Sequence, residues 1–372
     1  MSSIKNNVLL NYINTLASIV FPLITFPYAA RILLPEGIGL VNFQNSIISY
    51  ITLLSSLGIP LYAVREVARV RDNIKERNRV TVEIALLSLI LAAGGYVLVF
   101  VVGELVPQIN AHLSLFYILS LSILFTALGV SWFYTAIEDF KFITIRGLII
   151  RCLFVVALFA FVRSKEDLLI YGLVSVGYTV GNNIINFFHL RKFINLFKTD
   201  WDKLDIFRHL RPSLKIFVLN LSISLYVQLN PLMIGFLSDN TQVGYFTAGS
   251  KMSNIILSVV TSMATVLLPH VSNMIHIHDT EKFNQLITKV YHYYMALAFP
   301  FTIGLITLSV PLTIVICGKA FYPASTVTAI TAPVIIFISI TNIIGIQVLY
   351  PYGKENYVTY STIGGAVINL IL

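Results

Sequence analysis

Six basic side chains fall inside or at the ends of long apolar runs: Arg31, Arg65, Arg146, Arg151, Lys215 and Lys251. A guanidinium is a planar fork of donors that suits a phosphate bidentately, whereas an ammonium acts as a point charge. The chemistry such groups could do is reversible binding of an anion. A lone charge at the centre of a membrane helix costs roughly 2.5–3.5 kcal/mol, so it usually faces a cavity or a partner. Arg151 and Lys251 lie deepest in their runs and are expected to line a cavity. Arg31, Arg65, Arg146 and Lys215 lie close enough to run ends that two alternatives stay open, a binding role or snorkelling to the interface.

Other chemistries find little support. His276 and His278 are only two close histidines, so no metal site is expected. Gly37-Ile-Gly39 lacks the third glycine and the preceding strand of a dinucleotide loop, and there is no Gly-Lys-Ser/Thr phosphate loop. GxSxG and Cys/His nucleophile arrangements are missing too, so neither an enzyme nor a cofactor is expected. Glu83, Glu138, Asp139 and Asp239 lie at run entrances, run ends or in a loop, and none marks an ion-coupling carboxylate at mid-span. Asn14, Asn45, Asn182, Asn183, Gln228, Asn230 and Asn254 lie within runs, where they could line a polar path or hydrogen-bond between helices. Cys152 and Cys317 should sit at different depths and are not expected to pair.

The elements that must position these residues are membrane helices. Of 372 residues, 57% are hydrophobic and only 11% charged, against about 25% charged in a soluble domain. Crossing a bilayer takes about 20 mostly apolar residues. Runs near 8–33, 40–63, 81–106, 112–136, 143–162, 167–189, 213–237, 244–270, 290–317, 325–350 and 356–372 meet that need. They predict an all-α integral membrane protein with about eleven spans, since a β-barrel would need short alternating segments. The apolar stretch after Lys5 is longer than the roughly 7–15 residues of a signal-peptide core, so it reads as a retained first span.

Arg65, Arg69, Arg71, Lys75, Arg77 and Arg79 crowd the second loop, and Arg191, Lys192, Lys198, Lys203, Arg208, Arg211 and Lys215 the sixth. The opposite loops hold Arg31, Arg163, Lys165 and Lys319. This asymmetry predicts a cytoplasmic N-terminus. The formal charge of +8 is this topology signal rather than a nucleic-acid surface.

A repeat organises the runs. Pro27, Arg31-Ile-Leu-Leu34, a break at Pro35-Glu36-Gly37, then Gly39-Leu-Val-Asn-Phe opens the first set. Pro231, Met233-Ile-Gly-Phe-Leu237, a break at Ser238-Asp239-Asn240-Thr241, then Gly244-Tyr-Phe-Thr-Ala opens the second. Each reads as a proline-bearing helix, a tight exposed turn and a second helix. Duplicated bundles of this kind build midplane sites in transporters. The division is a six-helix bundle over 1–190, a basic amphipathic cytoplasmic connector over 191–212, and a second, pseudo-symmetric bundle over 213–372, cut off after five spans. Phe193, Phe197, Trp201, Leu204 and Phe207 recur at helical spacing in the connector, which suits an interfacial helix; a break near Thr199, capped by Asp200 or Asp202, is the alternative. Pro22, Pro27, Pro231, Pro269, Pro300, Pro311 and Pro333 are expected to kink their spans. The sequence ends in Ile368-Asn-Leu-Ile-Leu372, so a fragment or truncated reading frame is expected, and a non-functional copy stays open.

The stretch Phe26-Pro-Tyr-Ala-Ala-Arg31-Ile-Leu-Leu-Pro-Glu-Gly37-Ile-Gly39, followed by Leu57-Gly-Ile-Pro60 and Arg65-Glu-Val-Ala-Arg69, resembles the opening of Wzx-type polysaccharide flippases. These share a superfamily with multidrug extruders and lipid II flippases. His209-Leu-Arg-Pro-Ser and Val243-Gly-Tyr-Phe-Thr-Ala-Gly-Ser-Lys251 resemble the same family's seventh and eighth helices. The resemblance implies transfer of an undecaprenyl-pyrophosphate-linked oligosaccharide, for O-antigen, capsule or a related glycan, across the bacterial inner membrane by alternating access, without bond chemistry. It further implies a lipopolysaccharide-type pathway, membrane lipids as surroundings, and a glycan polymerase and an initiating transferase as neighbours. It implies a cationic lumen but assigns no individual residue. A drug or cation antiporter of the superfamily is the alternative and should carry a buried midplane carboxylate. A membrane glycan polymerase or ligase is the other, and should carry a large outer loop.

Overall fold

The computed structural model describes residues 4–194, 201–261, 280–349 and 351–371, which are helical almost throughout, with no strand among them. Uniformly apolar runs leave the backbone no solvent partner in hydrocarbon, and the helix satisfies every N–H and C=O internally. In chain order the helices are α1 (Ile4–Ser56), α2 (Ile59–Arg69), α3 (Ile74–Leu105), α4 (Pro107–Asn110), α5 (Leu113–Gly129), α6 (Ser131–Ala136), α7 (Phe140–Phe161), α8 (Leu168–Leu190) and α9 (Leu210–Leu237). They continue as α10 (Asn240–Thr261), α11 (Thr280–Thr307), α12 (Ser309–Cys317), α13 (Ala324–Thr331), α14 (Val334–Asn342) and α15 (Glu355–Ile371). Among the described residues five helical stretches are long and apolar enough to cross a membrane, and a sixth if α11 and α12, bent by 76°, form one broken span. The chain is therefore a multi-pass membrane protein.

Breaks fall where backbone chemistry demands them. Val130, at φ 39°, separates α5 from α6 inside what reads in sequence as one run. Pro333 stands between α13 and α14, and a π-helical stretch, Ile343–Leu349, follows α14. Pro269, by contrast, lies outside the described residues.

The chain forms two compact units, Met1–Thr25 with Val41–Phe236, and Phe26–Leu40 with Leu237–Leu372. In the first, Tyr62 and Val67 of α2, Val80, Ile84 and Leu87 of α3, and Trp132, Phe133 and Tyr134 of α6 make a buried apolar cluster. Phe193 and Leu204 of the connector pack against it, while Trp201 and Phe207 are exposed. The continuous interfacial helix expected over the connector is not what forms. Its described part holds single 3₁₀ turns at Trp201–Lys203 and Phe207–His209, with Phe193 and Leu204 half-buried against the cluster; Phe197 lies outside the described residues. Gly58, at φ 75°, sits against α9, where a β-carbon would fall 2.6 Å from the Ser213 carbonyl oxygen.

In the second unit the first repeat turn is not the exposed Pro35–Gly37 loop expected from sequence. The break is one residue, Leu34 (φ 60°, ψ 175°), and Pro35 is already helical and buried. Proline suits the first position of a helix, since its missing N–H would have had no partner there. The two repeat turns then pack on each other reciprocally. A β-carbon on Gly39 would lie 1.5 Å from the carbonyl oxygen of Asn240, and one on Gly244 would lie 2.0 Å from that of Pro35. Gly39 and Gly244 are 205 positions apart (244 − 39), as are Pro35 and Asn240 (240 − 35), so each partner contacts the other's counterpart.

Gly39→Ala and Gly244→Ala should each lower the thermal midpoint of the purified protein in detergent, because the obstructing atoms are backbone and cannot swing aside. The double variant should lose clearly less than the sum, since both substitutions open one contact; strictly additive losses would show two independent contacts.

Candidate functional site

Arg151 stands in the middle of α7, where a charge needs a partner or a cavity. Its Nη1 donates to Asn14 of α1 twice, to the side-chain Oδ1 at 3.0 Å and to the backbone carbonyl at 3.1 Å. Its guanidinium lies over the Tyr178 ring of α8, 5.1 Å from the centroid, within the roughly 6 Å of a cation–π contact. Gly147 packs behind it, where a β-carbon would make ordinary van der Waals contact with Asn14 Oδ1 at 3.6 Å and the Tyr178 hydroxyl at 3.9 Å. Arg151 borders a cavity of about 410 Å³ between α1, α7 and α8.

Arg146, just over one turn earlier on α7, does not snorkel. Its Nε donates to Asn182 Oδ1 at 2.9 Å, and its guanidinium covers the Phe142 ring at 5.2 Å. Its Nη1 is buried without a hydrogen-bond partner among the described residues. Asn182 in turn donates to the Tyr178 carbonyl at 2.7 Å, so one face of α8 serves both arginines.

The second unit brings two more predicted cations together. Lys251 of α10 is half-buried, with Nζ 4.4 Å from the centroid of Phe26. Arg31 is exposed and donates to the Val315 carbonyl of α12. Buried Cys317 lies within electrostatic reach of both. Arg65 and Lys215 are exposed, and no hydrogen bond or ion pair joins them to either group. His276 and His278 lie outside the described residues. No group of three or more metal-ligating side chains occurs among those described.

Sequence reasoning placed Glu83 at a helix entrance and missed its surroundings. The carboxylate has no exposed surface. Oε1 accepts from Arg79 Nε at 3.0 Å and from the Asp205 backbone N–H at 2.8 Å. Oε2 accepts from Arg208 Nε at 3.0 Å and Nη2 at 2.5 Å, and pairs with His209 Nε2 at 2.9 Å. Tyr62 and His209 Nδ1 are 2.7 Å apart. An imidazole with its proton on Nε2 donates to Glu83 and accepts the Tyr62 hydroxyl proton. Burial holds His209 below the ordinary imidazole range, which keeps it neutral in this role. The Arg79–Glu83 spacing of four was a readable signal; the partnership with Arg208 and His209 was not.

The sequence matches the family described as Polysaccharide biosynthesis protein over residues 4–275. It is 22% identical over 370 residues to an Escherichia coli (strain K12) protein named "Putative O-antigen transporter", covering 100% of this chain and 89% of that one. It is 24% identical over 386 residues to a Shigella dysenteriae protein of the same name, covering 99% and 91%. No solved structure matches the chain.

Glu83→Gln should destabilise the purified protein by roughly 3 kcal/mol, the low end for a broken buried ion pair, because Arg79 and Arg208 keep 35% and 36% of their side-chain surface in solvent. A thermal midpoint unchanged from wild type would refute the clamp. His209, faced by Glu83, Arg208, Glu66 and Tyr62, binds its proton more weakly folded than unfolded. Its contribution is therefore complete above the ordinary imidazole pKa of about 6.5 and is lost as pH falls below it. The wild-type midpoint should drop over that range, and that of His209→Gln should be flatter.

Proposed function

The chain belongs to the polysaccharide biosynthesis protein family, among its Wzx-type flippases, and from that premise we propose that it moves an undecaprenyl-pyrophosphate-linked oligosaccharide from the cytoplasmic to the periplasmic leaflet of the bacterial inner membrane. The names of its relatives support an O-antigen or similar surface glycan as cargo. The observation that carries the reading is Arg151, a cation deep in an apolar helix, held by neutral groups at the edge of a cavity. A pyrophosphate crossing hydrocarbon needs such a charge, one not already neutralised by a carboxylate.

In this reading Arg151 and Arg146 meet the anionic head in the first unit, and Lys251 and Arg31 meet it in the second. Arg65 and Lys215 are helix-end charges reaching the interface. A six-helix bundle over 1–190 and a second, incomplete bundle over 213–372, joined by the basic connector, would alternate access by rocking, with the N-terminus in the cytoplasm. Cargo that binds one state better shifts the population toward it. An initiating transferase would act upstream and a polymerase downstream. The antiporter alternative needs a free buried carboxylate. The one fully buried carboxylate among the described residues is Glu83, and two arginines already occupy it.

Arg151→Gln and Lys251→Gln should each reduce surface-glycan output in a flippase-deletion strain by roughly tenfold or more, the loss of one charge-assisted contact, at unchanged membrane abundance. Wild-type output from both variants would overturn the role given to these cations.

A further inference from the structure

The cavity beside Arg151 carries a second set of groups that anion binding alone does not require. Tyr171 and Tyr178 line it, and neither hydroxyl makes a hydrogen bond among the described residues. Both hydrogen bonds of Arg151 among the described residues use Nη1, so Nη2 and Nε remain available as donors. Three further hydroxyls, of Ser18, Thr25 and Ser175, also line the wall. Each gives its proton to a carbonyl of its own helix, Thr15 at 2.6 Å, Phe21 at 3.0 Å and Gly172 at 2.8 Å, which leaves its oxygen as an acceptor. Pro22, also in the lining, has no N–H to give the carbonyl of Ser18, which adds another acceptor. No carboxylate borders the space.

The lining residues thus offer both donors and acceptors beside one cation and two aromatic rings. An inorganic anion would use the donors and leave the acceptors idle. A metal cation would be repelled by Arg151. A ring with several hydroxyls, each both donor and acceptor, joined to a phosphate, uses both sets. The volume of about 410 Å³ is within the roughly 300–1,000 Å³ of small-molecule sites, enough for a phosphate and one pyranose but not for an oligosaccharide. Resting on the flippase reading, we infer that this cavity between α1, α7 and α8 is a subsite for the phosphate-linked sugar of the cargo. Arg151 holds the phosphoryl group, and Tyr171 and Tyr178 donate to the sugar hydroxyls.

Saturation-transfer NMR on the purified chain in phosphatidylcholine nanodiscs, with glucose 1-phosphate, inorganic phosphate and glucose as probes, tests this. Glucose 1-phosphate should bind roughly tenfold or more tighter than either fragment. Tyr171→Phe with Tyr178→Phe should bring it down to the level of inorganic phosphate, and Arg151→Gln to that of glucose. The phenylalanine rings keep the packing, and a thermal midpoint checks the fold of both variants. Equal affinity for glucose 1-phosphate and inorganic phosphate in the wild type, or an undiminished preference in the tyrosine double variant, would overturn the sugar subsite. Loss of glucose 1-phosphate binding in phosphatidylglycerol nanodiscs would overturn it in favour of a lipid headgroup. Each outcome is independent of glycan output in cells: a flippase without this subsite would still translocate, and a sugar-phosphate binder that is not a flippase would still show the preference.

Discussion

Glu83 is a carboxylate with no exposed surface, and its two oxygens receive Arg79, Arg208, His209 and the Asp205 N–H. In an apolar chain a charge persists only where such partners meet it, and the partners must come from wherever the sequence can supply them. Here three of the four lie in the connector more than a hundred positions away. Their attachment to α3 determines where α9 starts, since His209 immediately precedes it. With the contact between Gly58 and the α9 backbone, it joins α2, α3 and α9 into one corner of the first unit.

The cations divide by how they are held. Arg79 and Arg208 face a carboxylate, so their charge is spent on structure. Arg151 is oriented by an amide, a backbone carbonyl and an aromatic face, and Lys251 by the ring of Phe26. Neutral groups fix a side chain without cancelling its field, so the full charge stays available to a ligand. Arg146 follows the same pattern through Asn182 and Phe142. The difference follows from the chemistry of the neighbours and is invisible in the identity of the basic residue itself.

The second unit shows how a repeat acquires a physical role. Two short turns, alike in sequence, pack carbonyl against glycine in both directions. A side chain at either glycine would prevent it, so glycine is required there by proximity rather than by a left-handed backbone. The left-handed residue of the first turn is Leu34, next to the proline that starts the following helix.

Helical class and membrane residence were legible in the sequence alone, because they rest on local composition and on period, which neighbours in the chain determine. Arg151 and Lys251 read from sequence as the cations lying deepest in their apolar runs. What those cations touch was not legible there. Asn14 meets Arg151 across 137 positions and Arg208 meets Glu83 across 125, and no spacing rule reaches that far. The connector shows the same limit from the other side: its apolar spacing reads as a helix, yet its described part holds only 3₁₀ turns, with Phe193 and Leu204 packed on residues from distant helices. Tertiary structure decided which charges are neutralised, which remain free, and which glycines are obligatory, since each depends on the atoms that packing brings within a few ångströms.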